Sequence, residues 1–281
     1  MREIHVDQIR DTVAELCVKA NCLLPEDFFK VLRASATNEP SPVGRDVLCQ
    51  LVENAEIAAA DMSPICQDTG LAVVFAEIGQ DVHIVGGAFE EAVDAGVAKG
   101  YTEGYLRKSS VAEPLFERKN TRDNTPAVLH TRLVPGDKLR IKLAPKGAGS
   151  ENKGALAMLV PADGIEGVKR FVVETVRHAG SSPCPPMVVG VGIGGNMEKA
   201  CLCAKWACAR DINSRNPDPR YAALEEELLE LVNKIGTGPQ GLGGRTTAFK
   251  VNVEFCATHI ASLPVAVNIN CNAARHAEVE L

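Results

Sequence analysis

Three cysteines, far apart in the chain, stand in short settings that suit a loop better than a packed interior. The settings are Pro64-Ile65-Cys66-Gln67-Asp68-Thr69-Gly70, Ser182-Pro183-Cys184-Pro185-Pro186 and Val267-Asn268-Ile269-Asn270-Cys271-Asn272. Prolines and short polar residues beside a thiol read as turns and make poor core. Three thiolates from three separated loops suit an iron–sulfur cluster held at three corners, with the fourth iron left open. A chain built for that must return to one place three times, which constrains its topology more than any other feature. An open iron is a Lewis acid able to polarise a hydroxyl or carboxylate.

The remaining chemistry of the chain excludes several classes. The net charge is −6, and no basic stripe marks a nucleic-acid footprint. Aromatics are only 4% of residues, too few for stacking surfaces against single strands. No apolar run approaches the roughly 18 residues of a membrane span, and the first residues are too polar for a secretory signal. The expected location is therefore cytoplasmic, where disulfides are disfavoured. Most of the ten cysteines then read as small core hydrophobes. Cys17, Cys22, Cys49 and Cys208 lie on apparent helical faces, and Cys201 and Cys203 read as packing residues after the Gly194-Gly195 turn.

The pattern along the chain is α/β. Residues 7–20 carry Ile9, Val13, Leu16 and Cys17 at helical spacing. Pro25-Glu26-Asp27 opens a second helix and Ser41-Pro42 a third, with Val43, Val47, Leu51 and Ala55 on one face and an end near Asp61. Strands are predicted at 71–78, 82–85, 127–134, 138–143, 156–160, 188–193, 248–255 and 265–269. Helices are predicted at 89–106, 165–178, 197–209 and 220–235. Pro135-Gly136-Asp137 reads as a hairpin turn. Together these predict mixed sheets with covering helices, a helical N-terminal third, and cluster-binding loops at strand and helix ends. With no linker or repeat, residues 1–281 read as one domain.

Two glycine-rich stretches, Gly190–Gly195 and Gly236–Gly244, tempt a nucleotide reading that fails. Neither has the Gly-Lys-Ser/Thr of a phosphate loop, and the first has the wrong spacing for a dinucleotide fingerprint. Close backbone approach to a buried anion or cluster is the better expectation.

With these segments assembled, the chain resembles the α subunit of the two-subunit iron–sulfur (class I) fumarate hydratases and L(+)-tartrate dehydratases. It is equally similar to the N-terminal domain of their fused relatives. The similarity lies in Pro64–Gly70, Gly149-Ser150-Glu151-Asn152-Lys153, Ser181–Pro186, Gly190–Gly195, Gly236–Gly244 and Thr258–Asn268. It runs from about residue 45 to the C-terminus. It implies a [4Fe–4S] cluster on Cys66, Cys184 and Cys271. From residues alone Cys271 is the weakest of these, since spacing does not choose it over Cys256.

The implied reaction is reversible trans addition of water to a dicarboxylate double bond, fumarate to (S)-malate, or dehydration of L(+)-tartrate to oxaloacetate. The resemblance assigns Gln67 and Asp68 to substrate, with Asp68 handling the hydroxyl, and Arg107 to a substrate carboxylate. Read as residues, Asp68 is also a turn cap for Thr69-Gly70, and Arg107 also complements a helix dipole. The 146–153 loop, with Gly147 and Gly149, would offer backbone amides to the second carboxylate or support the site from behind. A lone His259 beside a strand reads first as a satisfied core residue and second as a proton relay. Arg245 and Arg275 would face substrate or a partner subunit. In the family, abstraction of the carbon-bound proton belongs to a β domain, so the expected partner is a β subunit in an α2β2 assembly. A redox iron–sulfur protein, using Cys256 or Cys203 as a fourth ligand, is the alternative from another class. A metal-free binding module is a further one.

Overall fold

In the computed structural model, which describes every residue from Met1 to Leu281, capping chemistry starts the helices where the sequence predicts. His5 ends a short strand, β1 (Arg2–His5), and its Nδ1 accepts from the Asp7 N–H at 3.2 Å, opening α1 (Val6–Cys22). Helix α2 spans Glu26–Asn38. Helix α3 (Pro42–Asp61) begins with Ser41 Oγ accepting from the Gly44 N–H at 3.2 Å and proline in the first turn. The buried side of α3 includes Gly44, Leu48, Ala55 and Ala58, with Val47 and Leu51 half-buried; of the predicted face only Val43, 54% exposed, departs. Cys49 is also exposed. Leu48 takes the core position, and one residue of helical rotation carries its neighbour to the surface. No helix is long and apolar enough to cross a membrane.

Two compact units divide the chain, each made of segments distant in sequence. One contains Met1–Pro25, Ala55–Ala148 and Arg275–Leu281; the other contains Glu26–Asn54 and Gly149–Ala274.

In the first unit, β2 (Leu71–Gly79) runs between β4 (Val128–Val134) and β5 (Leu139–Lys146), and β10 (Ala277–Glu280) adds to the far side of β5. A two-stranded parallel pair joins β1 to β3 (Val82–Val85). The predicted hairpin at Pro135-Gly136-Asp137 is not formed, because β4 pairs in parallel and β5 antiparallel with β2 rather than with each other. The physical reason is burial. Ala72–Ala76 is an unbroken buried run, the pattern of a central strand covered on both faces, whereas β4 is largely exposed and suits an edge. The turn wraps the end of β2 instead, accepting from the Gly79 and Asp81 N–H groups through Lys138 and Gly136 carbonyls at 2.8 and 2.9 Å. Helix α4 (Phe89–Glu103) stops short of the predicted Leu106, since Tyr105 turns into left-handed backbone at φ 52 and the Leu106 N–H reaches back to the Tyr101 carbonyl at 3.1 Å. It packs tightly on α1: a Cβ at Gly100 would lie 2.7 Å from the Ala14 carbonyl. Ile9, Val13, Val93, Val97, Ile141 and Leu143 are part of the core between helices and sheet.

The second unit carries a sheet in the order β6 (Ala155–Leu159), β9 (Leu263–Asn270), β7 (Met187–Gly194), β8 (Ala248–Cys256). A one-turn helix, α5 (Ala148–Glu151), precedes β6. Strand β7 is buried at every position. It pairs in parallel with β8 and antiparallel with β9, and its flanking helices are α6 (Gly164–Ala179), α7 (Met197–Cys208) and α8 (Pro219–Asn233). Cys208 is buried here, as Cys17 and Cys22 are in the first unit, while Cys201 is exposed and not a packing residue.

A carboxylate of the protein itself lies against the end of the Gly236–Gly244 stretch. Glu39, 1% exposed, accepts from the N–H groups of Arg245 and Thr246 at 2.9 Å each, from Thr246 Oγ1 at 2.6 Å and from the Ser41 N–H at 3.2 Å. A Cβ on Gly244 would sit 2.9 Å from its Oε1. Burial pushes the Glu39 pKa up, but the hydrogen bonds from Arg245, Thr246 and Ser41 outweigh it and leave the net shift downward. A depressed carboxylate pKa gives stability that is full above the unfolded Glu value and lost as pH falls through the folded one. Glu39→Gln is therefore expected to cost about 1–3 kcal/mol at neutral pH, with the gap from wild type closing as urea midpoints are followed from about pH 5 to about pH 3.

Candidate active site

The turn after α3 is built on hydrogen bonds that a short polar run supplies. The Ile65 N–H donates to the Asn21 carbonyl at 3.0 Å, seating Ile65 in the core of the first unit. Cys66 follows, half-buried, with its Sγ accepting from the Asp68 N–H at 3.4 Å and donating to Gln67 Oε1 at 3.2 Å. Gln67 is exposed. Asp68 spends both oxygens on backbone: Oδ1 accepts from the Gly70 N–H and Oδ2 from the Ala148 N–H, each at 3.0 Å. Gly147 lies directly beneath, where a Cβ would come 3.0 Å from Oδ2. Thr69 Oγ1 donates to the Arg107 carbonyl at 2.9 Å, which sets exposed Arg107 beside the turn. Cys66, Gln67, Asp68, Arg107 and Gly147 thus meet in one unit through a single loop. Asp68 does cap its turn, as its residue type predicts.

Three residues that sequence reasoning did not assign to this loop hold it from behind. Tyr101, fully buried, donates its hydroxyl to the Thr69 carbonyl at 2.6 Å, and burial raises its pKa. Asn124, also fully buried, donates to the Gly70 carbonyl at 3.1 Å and accepts from the Ser109 N–H at 2.7 Å. Arg275, 4% exposed, donates Nη2 to the Asp68 carbonyl, while its Nε and Nη1 have no acceptor. A tyrosine on a helix and an asparagine in a loop carry no local signal of such a role. A buried arginine with two unsatisfied donors leaves positive charge next to the Cys66–Asp68 turn.

In the second unit, Cys184 is exposed between buried Pro183 and Pro185-Pro186, in left-handed backbone at φ 52. Left-handed backbone at a residue with a Cβ costs about 1–2 kcal/mol and concentrates at functional positions. The Cys184 carbonyl accepts from Asn272 twice, from N–H at 3.0 Å and from Nδ2 at 2.8 Å. That pair of bonds seats the Cys184 loop beside the residue after Cys271, which is half-buried. Gly149 belongs to this unit, with a Cβ position 3.5 Å from the Ser182 carbonyl. None of the three cysteines is in a disulfide. Within neither unit do three His, Cys, Asp or Glu side chains gather to hold a metal ion.

His259 is exposed, accepting at Nδ1 from the Ala261 N–H at 3.1 Å, so it is not the satisfied core residue expected. The reason is that β8 ends at Cys256, and residues 257–260 lie outside the sheet. Arg245 is exposed, donating to the Asn38 carbonyl at the Glu39 corner.

A family model described as fumarate hydratase (Fumerase) matches residues 10–280. The chain belongs to the fumarate hydratase family. It is therefore placed among hydro-lyases. Relatives include a putative L(+)-tartrate dehydratase subunit alpha from Methanocaldococcus jannaschii, 42% identical over 276 residues, covering 96% of each chain. The L(+)-tartrate dehydratase subunit alpha of Escherichia coli K12 is 31% identical over 274 residues, covering 96% of this chain and 89% of that one.

For this fumarate hydratase family member, the donors fit an iron–sulfur group in kind. They are thiols on loops, one accepting a backbone N–H, with orphaned guanidinium donors available to offset negative charge near another part of the same loop.

Proposed function

We propose that the chain is the α subunit of a hydro-lyase that hydrates fumarate reversibly to (S)-malate, with a [4Fe–4S] cluster on Cys66, Cys184 and Cys271. When bound, the cluster would supply an open iron as a Lewis acid toward the substrate hydroxyl. The observation that carries this reading is Cys184: an exposed residue on left-handed backbone, set between buried prolines. Left-handed backbone at a residue with a Cβ concentrates at functional sites and ligand clamps, which supports a ligand role for this position.

The other roles follow from the chain's own atoms. Asp68, immobilised by two backbone N–H donors, keeps a carboxylate at fixed orientation to take and return the hydroxyl proton. Gln67 hydrogen-bonds substrate with its exposed amide. Arg107 offers a guanidinium fork shaped for a carboxylate. Backbone amides at Gly147 and Gly149 serve the second carboxylate. Residues 1–281 act as one α domain, in the cytoplasm, with a β subunit supplying abstraction of the carbon-bound proton in an α2β2 assembly.

The names of the relatives favour a second reading, L(+)-tartrate dehydration to oxaloacetate. The test is to co-express the chain with a β subunit, reconstitute anaerobically with iron and sulfide, and assay fumarate, malate, mesaconate and both tartrates. Fumarate and malate turnover without tartrate turnover is the expected result; turnover of L(+)-tartrate alone would establish the second reading. EPR after mild oxidation is expected to reveal a three-iron signal whose formation malate suppresses. A cluster indifferent to malate would instead indicate a redox protein. The α chain by itself is expected to be inactive.

A further inference from the structure

Two cysteines that the hydratase reading leaves unused lie against each other in the second unit. Cys203, in the middle of α7, and Cys256, the last residue of β8, have their sulfurs 3.9 Å apart, and both are half-buried. That is contact distance between sulfurs, about 2 Å longer than a disulfide bond. The helix side of the pair is rigid. Glycine at 192 lets α7 press onto β7 so closely that a Cβ there would lie 2.9 Å from Cys203 Cβ and 2.6 Å from the Ala204 nitrogen. The strand side is held in place yet adaptable. The Ala257 carbonyl accepts from the Gly195 N–H at 3.1 Å and Thr258 Oγ1 donates to the Gly195 carbonyl at 2.8 Å, while residues 257–260 are exposed and outside the sheet. Closing the remaining gap needs rotation at Cys256 and a small shift of the segment after it.

We propose that Cys203 and Cys256 form a reversible oxidation site, converted to an intrachain disulfide by a low-molecular-weight disulfide of the glutathione type. In the first step the Cys256 thiolate attacks the small disulfide, forming a mixed disulfide and releasing one small thiolate, which takes up the proton Cys256 gave up. In the second, Cys203 sulfur attacks the Cys256 sulfur, and its proton leaves with the second small thiol. Two protein thiols lose two electrons, and one small disulfide becomes two thiols. The order follows from the surroundings. Burial, and then the neighbouring Cys256, push the Cys203 pKa up to about 12, so Cys203 keeps its proton until its partner is capped. The bond would tie α7 to the end of β8 and fix the segment that carries His259.

The test uses the full-length reduced protein, incubated without oxygen in a graded series of oxidised glutathione. Remaining thiols are alkylated, and tryptic peptides 200–205 and 251–275 are fragmented by mass spectrometry. The expected product is a Cys203–Cys256 cross-link, reversed by dithiothreitol, with Cys203→Ser instead accumulating glutathione on Cys256. Cys203 and Cys256 recovered as free thiols at ratios that modify the exposed Cys49 and Cys201 would overturn the proposal. So would a cross-link from Cys256 to Cys201. The readout is a peptide mass in the unaltered chain, so neither cluster assembly nor hydratase activity affects the outcome.

Discussion

Cys184→Gly is expected to make the cluster-free protein more stable and the assembled enzyme inactive. Cys184 occupies left-handed backbone at φ 52, where a Cβ costs about 1–2 kcal/mol. Glycine removes that cost but loses about 0.5–1 kcal/mol to the entropy of its unfolded chain. The net gain is roughly 0.5–1 kcal/mol, seen as a rise of about 1–3 °C in Tm for a chain of this size. The flanking prolines are buried and the two Asn272 bonds end on the backbone carbonyl of residue 184, so the loop keeps its anchors. On the proposed ligand set, loss of one of three thiolates would remove the cluster, and Lewis-acid assistance is worth several kcal/mol, each 1.4 being tenfold in rate. Turnover in the presence of the β subunit is therefore expected to fall by at least about a thousandfold. The pair of measurements is calorimetry on apo-protein against apo-protein and turnover of reconstituted enzyme. A variant that is less stable and still active would mean that residue 184 is a packing position and no ligand.

The second large effect concerns the second unit's interior. Arg210, just after α7, donates Nη1 to Glu225 Oε1 at 2.8 Å, to Glu254 Oε1 at 3.2 Å and to the Val253 carbonyl at 3.2 Å. Glu225, 2% exposed, also accepts from the N–H groups of Asn216 and Val253. Burial raises the Glu254 pKa, with Arg210 opposing it. Arg210→Met would leave the buried Glu225 carboxylate without its cation, which typically costs about 3–5 kcal/mol. The urea midpoint is expected to fall accordingly. Restoring neutrality with Glu225→Gln in the same chain should recover part of the loss, because the desolvated charge then disappears. A midpoint for Arg210→Met unchanged from wild type would mean that water already screens this network.

Cys184 was legible in the sequence, whereas the Arg210 network was not. Cys184 announced itself through three neighbouring prolines, and proline acts on the residues beside it. The same locality made the starts of α2 and α3 legible at Pro25 and Ser41-Pro42, since a cap satisfies N–H groups within one turn. The turn at 135–137 was also recognised as a turn, yet its strands were paired wrongly. Nothing in residues 127–143 says that β2, half a hundred residues earlier, lies between them. The terminal strands β1 and β10 were missed for a related reason: four residues each, their only reason to be extended is the neighbour they pair with.

The candidate site divides in the same way. The order Cys66-Gln67-Asp68 and the turn role of Asp68 are properties of adjacent residues. That Asp68 rests on Gly147, and that Tyr101, Asn124 and Arg275 brace its loop, depends on residues arriving from four other segments. The glycine stretch at 236–244 was expected to approach a buried anion or cluster; the carboxylate against its end is Glu39, which comes from the corner between two helices some two hundred residues away and is held by the N–H groups of Arg245 and Thr246. Sequence alone determined the helix starts, the turns and the loop settings of Cys66 and Cys184, because capping, proline and glycine act over a few bonds. Tertiary structure decided which strand lies beside which and which carboxylate fills which loop. Those choices are made by burial and hydrogen-bond satisfaction among groups that chain order does not bring together.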